Sequence, residues 1–243
     1  MLRTLASFWT WLVLGTLLFV GVPLLAVVVG VTWPFDRERY WAGRLFRQVG
    51  VLTAKANPLW HFRWLGTPPA DVRRPFVVVS NHESFSDILL ISHLPWEMKW
   101  LSKVELFNIP VLGWLLRLAR DIPVKRGKAS SAVEALQRCR EKLEHRMSVM
   151  VFPEGTRSET DEMLPFKDGA FRLAIEMQVP ILPLVVTGSR TALKKRSWRF
   201  GKSEAEVRVL EPVSVEGLKK SDVPALRDKV FAIIAAERER MRA

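Results

Sequence analysis

FVVVSNHESFSD, residues 76–87, decides how this chain is read. Four apolar residues, Phe76 to Val79, have the length and β-branched content of a buried strand. The strand runs out at Ser80-Asn81 and delivers His82, with a carboxylate, Asp87, five residues on. Inside one α-helix those two side chains would point about 140° apart and could not meet. With His82 in the connecting loop and Asp87 in the first turn of the next helix, they can. A carboxylate on one ring nitrogen fixes the tautomer and leaves the other nitrogen free as a base. The same letters also spell a capping box, in which Asp87 would only satisfy the backbone amide of Ser84. The segment alone leaves both open.

Upstream, no charged residue occurs between Thr4 and Phe35, and Phe8 to Trp33 is almost wholly apolar. About 20 helical residues cross a bilayer core, so the run is long enough; a signal peptide would carry an apolar stretch about half as long. Trp9, Trp11 and Trp33 near its ends match an interfacial aromatic belt. Pro23 behind Gly21 leaves two forms open, a kinked span or a shallow helical hairpin. Only Arg3 precedes the run, whereas Arg37, Arg39, Arg44 and Arg47 follow it, which places the remainder on the cytoplasmic side. A single cysteine forbids an intramolecular disulfide and agrees with that compartment. Cys139 shares a helical face with Ala132, Leu136 and Leu143, the pattern of core packing.

The net charge of +12 belongs almost entirely to the chain after residue 35. It gathers in two clusters, Arg117 to Lys128 and Arg190 to Lys202, the second interleaved with Trp198 and Phe200. Beside a membrane anchor such clusters fit anionic headgroups; a solvated loop is the plain alternative, and no nucleic-acid partner is expected. Residues 36–60 read as an aromatic and basic helix at the bilayer surface. Residues 1–60 thus form a membrane anchor with an interfacial helix, and 61–243 a separate folded domain. His61 to Arg74 reads as a connector, with Gly66 and Pro68-Pro69 as turn signals. Strand and helix patterns then alternate. Strands are expected at 76–80, 99–102, 121–124, 148–152, 181–187 and 206–210; helices at 84–93, 130–146, 167–178 and 223–242, with an irregular helical stretch to Leu118. The fold class is α/β: a single mixed sheet flanked by helices, preceded by an N-terminal membrane-anchoring helix or hairpin.

Two further segments carry chemistry. In VFPEGTRS, residues 151–158, a strand ends at Phe152 and Pro153 stops it. Gly155 admits close backbone approach, Thr156 offers a hydroxyl, and Arg157 a planar fork suited to phosphate. In RDIPVKRG, residues 120–127, Lys125 and Arg126 follow a short apolar stretch. Placement after strands brings the histidine and the EGTR turn to one sheet edge, where α/β proteins bind ligands.

Taken in order, NHESFSD, IPVKRG, FPEGTRS and VPILPLVVTG (residues 179–188) resemble the glycerolipid acyltransferases, specifically the 1-acylglycerol-3-phosphate acyltransferase family, over about residues 75–190. The resemblance implies that His82, oriented by Asp87, takes a proton from the free hydroxyl of a lysophospholipid. The oxygen then attacks an acyl thioester directly, with no covalent acyl-enzyme. Glu154, Gly155, Thr156, Arg157 and Arg126 would hold the acceptor phosphate, with Lys103 as a further contact. The donor would be an acyl-carrier-protein or coenzyme A thioester acting as co-substrate; no cofactor or metal is expected, and membrane lipids are the surrounding partners. Ser86 and Lys125 depart from the family pattern, which bears on the acceptor pocket and not on the dyad. An apolar tunnel for the acyl chain would draw on Leu112, Trp114, Leu115 and Leu118. Two rivals remain: a thioester or lysolipid hydrolase using the same base, and a non-enzymatic anionic-surface binder.

Overall fold

Val77–Ser80 is buried on every side chain, and this forces it into the middle of a sheet. The computed structural model describes residues 1–125, 127–158, 160–194 and 197–242, the side chain of residue 129 excepted. Arg126, expected in the acceptor site, and Lys195 and Arg196 of the second basic cluster lie outside the described residues.

Seven strands form one mixed sheet: β1 (Trp60–Leu65), β2 (Val77–Ser80), β3 (Met98–Lys103), β4 (Ile122–Val124), β5 (Ser148–Val151), β6 (Ile181–Thr187) and β7 (Ser203–Val209). Their spatial order is β1-β7-β6-β2-β5-β3-β4. Five run parallel, whereas β7 turns back antiparallel to β6 and carries β1 parallel to itself. The helices are α1 (Leu2–Thr32), α2 (Tyr40–Ala56), α3 (Asp87–Ile91), α4 (Leu112–Leu118), α5 (Ala129–Glu144), α6 (Gly169–Met177) and α7 (Val223–Arg242). On one face, Val77, Val79, Val149, Ile181 and Val185 pack under α5, α6 and α7. The alternate residues Val78, Met150, Leu182 and Leu184 pack under α3. Cys139 is in the first of these cores, and burial pushes its thiol up to about 12.

Two expectations need correction. Residues 61–74 do not begin as a connector, because Trp60, Phe62 and Trp64 alternate with His61 and Arg63 to form edge strand β1 on β7. The Trp60 ring stacks on Phe62 at 5.0 Å and meets Phe200 edge-on at 4.9 Å. Strand β7 likewise begins at Ser203, three residues before the expected start, to pair with it.

Of the two forms left open for the apolar segment, a continuous helix is found. At 1.5 Å per residue its 31 residues extend about 46 Å. Pro23 sits inside it and removes only the hydrogen bond due to the Phe19 carbonyl. Both ends of α1 are tied to the rest of the chain. Near its start, Arg3 Nε donates to Phe200 O at 2.6 Å and Trp11 Nε1 to Trp198 O at 2.8 Å. Just past its end, the buried Asp36 carboxylate accepts the first amides of α2, from Tyr40 and Trp41, at 2.8 and 2.9 Å. Between them Leu25 of α1, Phe46 and Val49 of α2, and Leu115 and Leu116 of α4 share a core.

Helix α2 is fastened inward by charge as well as by apolar packing. Arg47 reaches Asp121 at 2.6 Å and Glu97 at 3.3 Å, and Lys99 Nζ reaches Glu97 at 3.2 Å and Ala119 O at 2.8 Å. Burial works against the charge on Arg47, but Asp121 and Glu97 outweigh it and hold its pKa above the usual range. The buried Lys99 is displaced downward, chiefly by burial. Gly43 makes this contact possible, since a Cβ there would stand 2.1 Å from Glu97 Oε1. Arg47→Ala leaves two carboxylates buried without their cation, a loss of about 3–5 kcal/mol. Denaturation of the detergent-solubilised protein should show it, and replacing Arg47, Glu97, Lys99 and Asp121 together by apolar residues should cost less.

Candidate active site

The dyad forms. His82 leaves β2 in an extended loop, Asp87 opens α3, and His82 Nδ1 lies 2.8 Å from Asp87 Oδ2. The capping interaction forms too: Asp87 Oδ2 also accepts the amides of Glu83 at 2.8 Å and Ser84 at 3.0 Å. The two readings of these letters are therefore one arrangement, because the cap fixes the carboxylate that fixes the ring. The second carboxylate oxygen accepts the hydroxyl of Ser189, a buried residue in the turn after β6. Ser189 joins the His82–Asp87 arrangement through this contact, and sequence reasoning passed over it. Gly188 before it, at φ +77°, lets the backbone turn against Glu204 O, which a Cβ would approach to 2.1 Å.

The other side of the His82 ring is held by Phe152, stacked at 3.9 Å and 15°. The loop itself is braced by Glu154, whose carboxylate accepts His82 N at 2.7 Å through one oxygen and Leu164 N at 2.9 Å through the other. Burial raises the pKa of Glu154, with those two amides pulling the other way. Both oxygens face inward to backbone donors, so Glu154 shapes the site through the loop, in place of the phosphate contact expected of it. Asn81 ties the strand exit to β6 by paired bonds with Val186, each 2.8 Å. Glu83 turns away from His82 toward α7, where Arg238 holds it at 2.8 and 3.1 Å. Its pKa is raised by burial first, with Asp87 adding and Arg238 opposing.

Gly155 turns at φ +73° beneath the Lys167 side chain, whose Nζ would stand 2.7 Å from a Cβ at 155. Thr156 is exposed and Arg157 half-buried on the same turn. Lys103 ends β3 with its side chain 49 % exposed and 3.5 Å from Glu105. On the opposite face a small apolar cavity of about 100 Å³ runs from Phe85 and Ile88 to Leu14 and Leu18 of α1. Of the four residues expected around an acyl tunnel, Leu112 borders this cavity; Leu115 packs on α1 at Gly21, Trp114 is 53 % exposed and Leu118 is half-buried away from it. Among the described residues no three His, Cys, Asp or Glu side chains are grouped to hold a metal.

The Acyltransferase family profile matches residues 64–187, a span that holds the dyad, the EGTR turn and all of β6. The human 1-acyl-sn-glycerol-3-phosphate acyltransferase alpha is 41% identical over 165 residues, 67% of this chain and 57% of that protein. The Saccharomyces cerevisiae 1-acyl-sn-glycerol-3-phosphate acyltransferase is 35% identical over 162 residues, 65% of this chain and 54% of that one. The chain thus spans little more than half the length of these curated relatives. A solved structure, the 1-acyl-sn-glycerophosphate (LPA) acyltransferase PlsC from Thermotoga maritima, superposes with a TM-score of 0.80 at 26% identity, over 99% of this chain and 96% of that one. A profile match over half the chain, on the segment that builds the dyad, makes this chain a member of the acyltransferase family.

Proposed function

We propose that this protein transfers a fatty acyl group from a thioester to the free hydroxyl of 1-acylglycerol-3-phosphate, giving phosphatidic acid. The observation that carries this reading is the buried His82–Asp87 pair at the sheet edge. Asp87 holds Nδ1, and among the described residues none hydrogen-bonds Nε2, which is left for a substrate hydroxyl. The hydroxyl gives its proton to Nε2 as its oxygen attacks the thioester carbonyl. The C–S bond breaks, the imidazole returns the proton to the departing sulfur, and an ester and a free thiol result. No covalent acyl-enzyme is needed. Nearby hydroxyls are engaged elsewhere, Ser84 with Leu193 O at 3.1 Å and Ser86 with Ser189 O at 3.2 Å, and Cys139 is in the core.

Gly155, Thr156, Arg157 and Arg126 hold the acceptor phosphate in this reading, with Lys103 further out at the end of β3. Holding the acceptor beside the base supplies part of the acceleration. The donor, a coenzyme A or acyl-carrier-protein thioester, brings the activated bond, so no cofactor enters. Helix α1 is tied to the catalytic unit near its start by Arg3 and Trp11, packs against α4 further on, and turns Leu5, Phe8, Leu12, Phe19, Leu24 and Val27 outward. Such a helix seats the unit on a bilayer, with the site at the cytoplasmic surface.

The test is a mass-spectrometric assay on detergent-purified protein, offering both thioesters with a panel of lysolipids. Conversion of lysophosphatidate to phosphatidate, reduced about 10²–10⁴-fold in His82→Ala, is expected. Thioester loss without an acylated lipid would replace transfer by hydrolysis. Ser189→Ala should lower kcat about tenfold with little change in either KM, because it loosens Asp87 without touching substrate. A fall in stability with unchanged kcat would reduce Ser189 to a structural part.

A further inference from the structure

Along α7 the buried residues Leu226, Val230 and Ile234 recur every four positions on one face, and the next place in that stripe is Arg238. A guanidinium on the inward face of a helix needs an anion beside it. It finds Glu83, giving Nε at 3.1 Å and Nη2 at 2.8 Å to one carboxylate oxygen, and both side chains are buried. Glu83 is the residue after His82, and its own amide is one of the two that cap Asp87. What grips the Glu83 side chain therefore grips the backbone between the imidazole and its carboxylate. Ion pairs continue from α7 to the other side of Asp87. Arg242, one turn beyond Arg238, meets Asp161 at 3.2 Å, and Asp161 meets Arg190 Nε at 3.3 Å. Arg190 follows Ser189, and its Nη1 donates to Ser158 O at 3.4 Å, while Ser158 N donates to His82 O at 3.3 Å. Asp161 is exposed, so these outer links are weak and screened by salt. The buried Arg238–Glu83 pair carries the connection.

We propose that Arg238 is a positioning residue for acyl transfer, which holds Glu83 and, through it, the aim of His82 at the acceptor hydroxyl; this rests on the acyl-transfer reading above. Helix α7 packs on β2 and β6 through Val230 and Ile234, so Arg238 hangs the loop from a rigid part of the core. The pair also balances charge at the dyad. Facing Glu83 are Arg238 from α7, Asp87 from α3 and Arg190 from the turn after β6. Facing the imidazole are Asp87 and, from the turn after β5, Glu154. With its cation removed, Glu83 would be a further anion close to His82, and an anion favours the protonated ring, which is no base.

The full-length protein in detergent is compared with Arg238→Met, Glu83→Gln and the double variant, each with its folded fraction measured by denaturation. Arg238→Met keeps the length of the side chain without its charge; kcat per folded protein should fall about tenfold, with either KM moving less than about twofold. The double variant should lose no more than Arg238→Met alone, because the two residues act as a unit. Arg238→Lys, which restores the charge without the fork, should recover part of the loss. Glu83→Gln leaves an oxygen for Arg238 but removes an anion near the ring while the cation stays. His82 then holds a proton less tightly, and the acid limb of kcat/KM should move to lower pH by about half a unit. A pair that serves the fold alone would lower the denaturation midpoint and leave kcat and the acid limb in place, which would overturn the proposal. A rise in one KM with kcat intact would make the pair a substrate contact and overturn it too, as would an unmoved acid limb in Glu83→Gln. If Arg238→Met does not fold, Arg238→Lys and Glu83→Gln carry the same readouts. Absence of His82-dependent transfer in the unsubstituted protein would count against the acyl-transfer reading itself. NMR titration of the His82 ring, assigned with His82→Ala, would then still read the Glu83→Gln shift without substrate.

Discussion

A carboxylate sealed from water must find donors for both oxygens, and Asp87 finds four: the His82 ring, the amides of Glu83 and Ser84, and the Ser189 hydroxyl. Satisfying that one buried group fixes the strand exit, the start of α3 and the turn after β6 in a single arrangement. The imidazole is oriented as a by-product of the same requirement. Its ring is then trapped between Asp87 and Phe152, while Glu154 pins its backbone. Loosening any of these parts costs desolvated polar groups their partners, so the imidazole is held by the same forces that hold the fold.

The sheet divides the labour around this point. One face meets α3 and, beyond it, the α1–α2–α4 layer, whose outer surface is apolar. The other meets α5, α6 and α7 and opens to water. The Arg47–Glu97–Asp121–Lys99 cluster binds the membrane-side layer to β3 and β4.

Much of this was legible in the sequence because the informative contacts are local. His82 and Asp87 lie five residues apart, and the apolar runs at 76–79 and 181–187 announce buried parallel strands. What was missed depends on distant partners. Strand β1 alternates apolar and polar residues over only a few positions before the turn signals at Gly66 and Pro68-Pro69, and it exists because β7, 143 residues on, supplies its ladder. Ser189 is one serine among many until the fold brings it to Asp87 across 102 positions. Glu154 was grouped with its turn as a phosphate contact, since nothing in EGTR says that its carboxylate turns inward to His82 and Leu164 amides. The continuous course of α1 through Pro23 goes with its packing on α2 and α4, which composition does not encode.

The central claim is that His82 acts as a base for direct transfer, with no acyl group passing through the protein. Intact-protein mass spectrometry on rapidly quenched reactions tests it most directly, with acyl thioester alone and then with acceptor added. The account predicts that the protein mass never rises by an acyl group while ester forms in the presence of acceptor. An acyl adduct that appears with donor and is discharged by acceptor at the rate of turnover would contradict it.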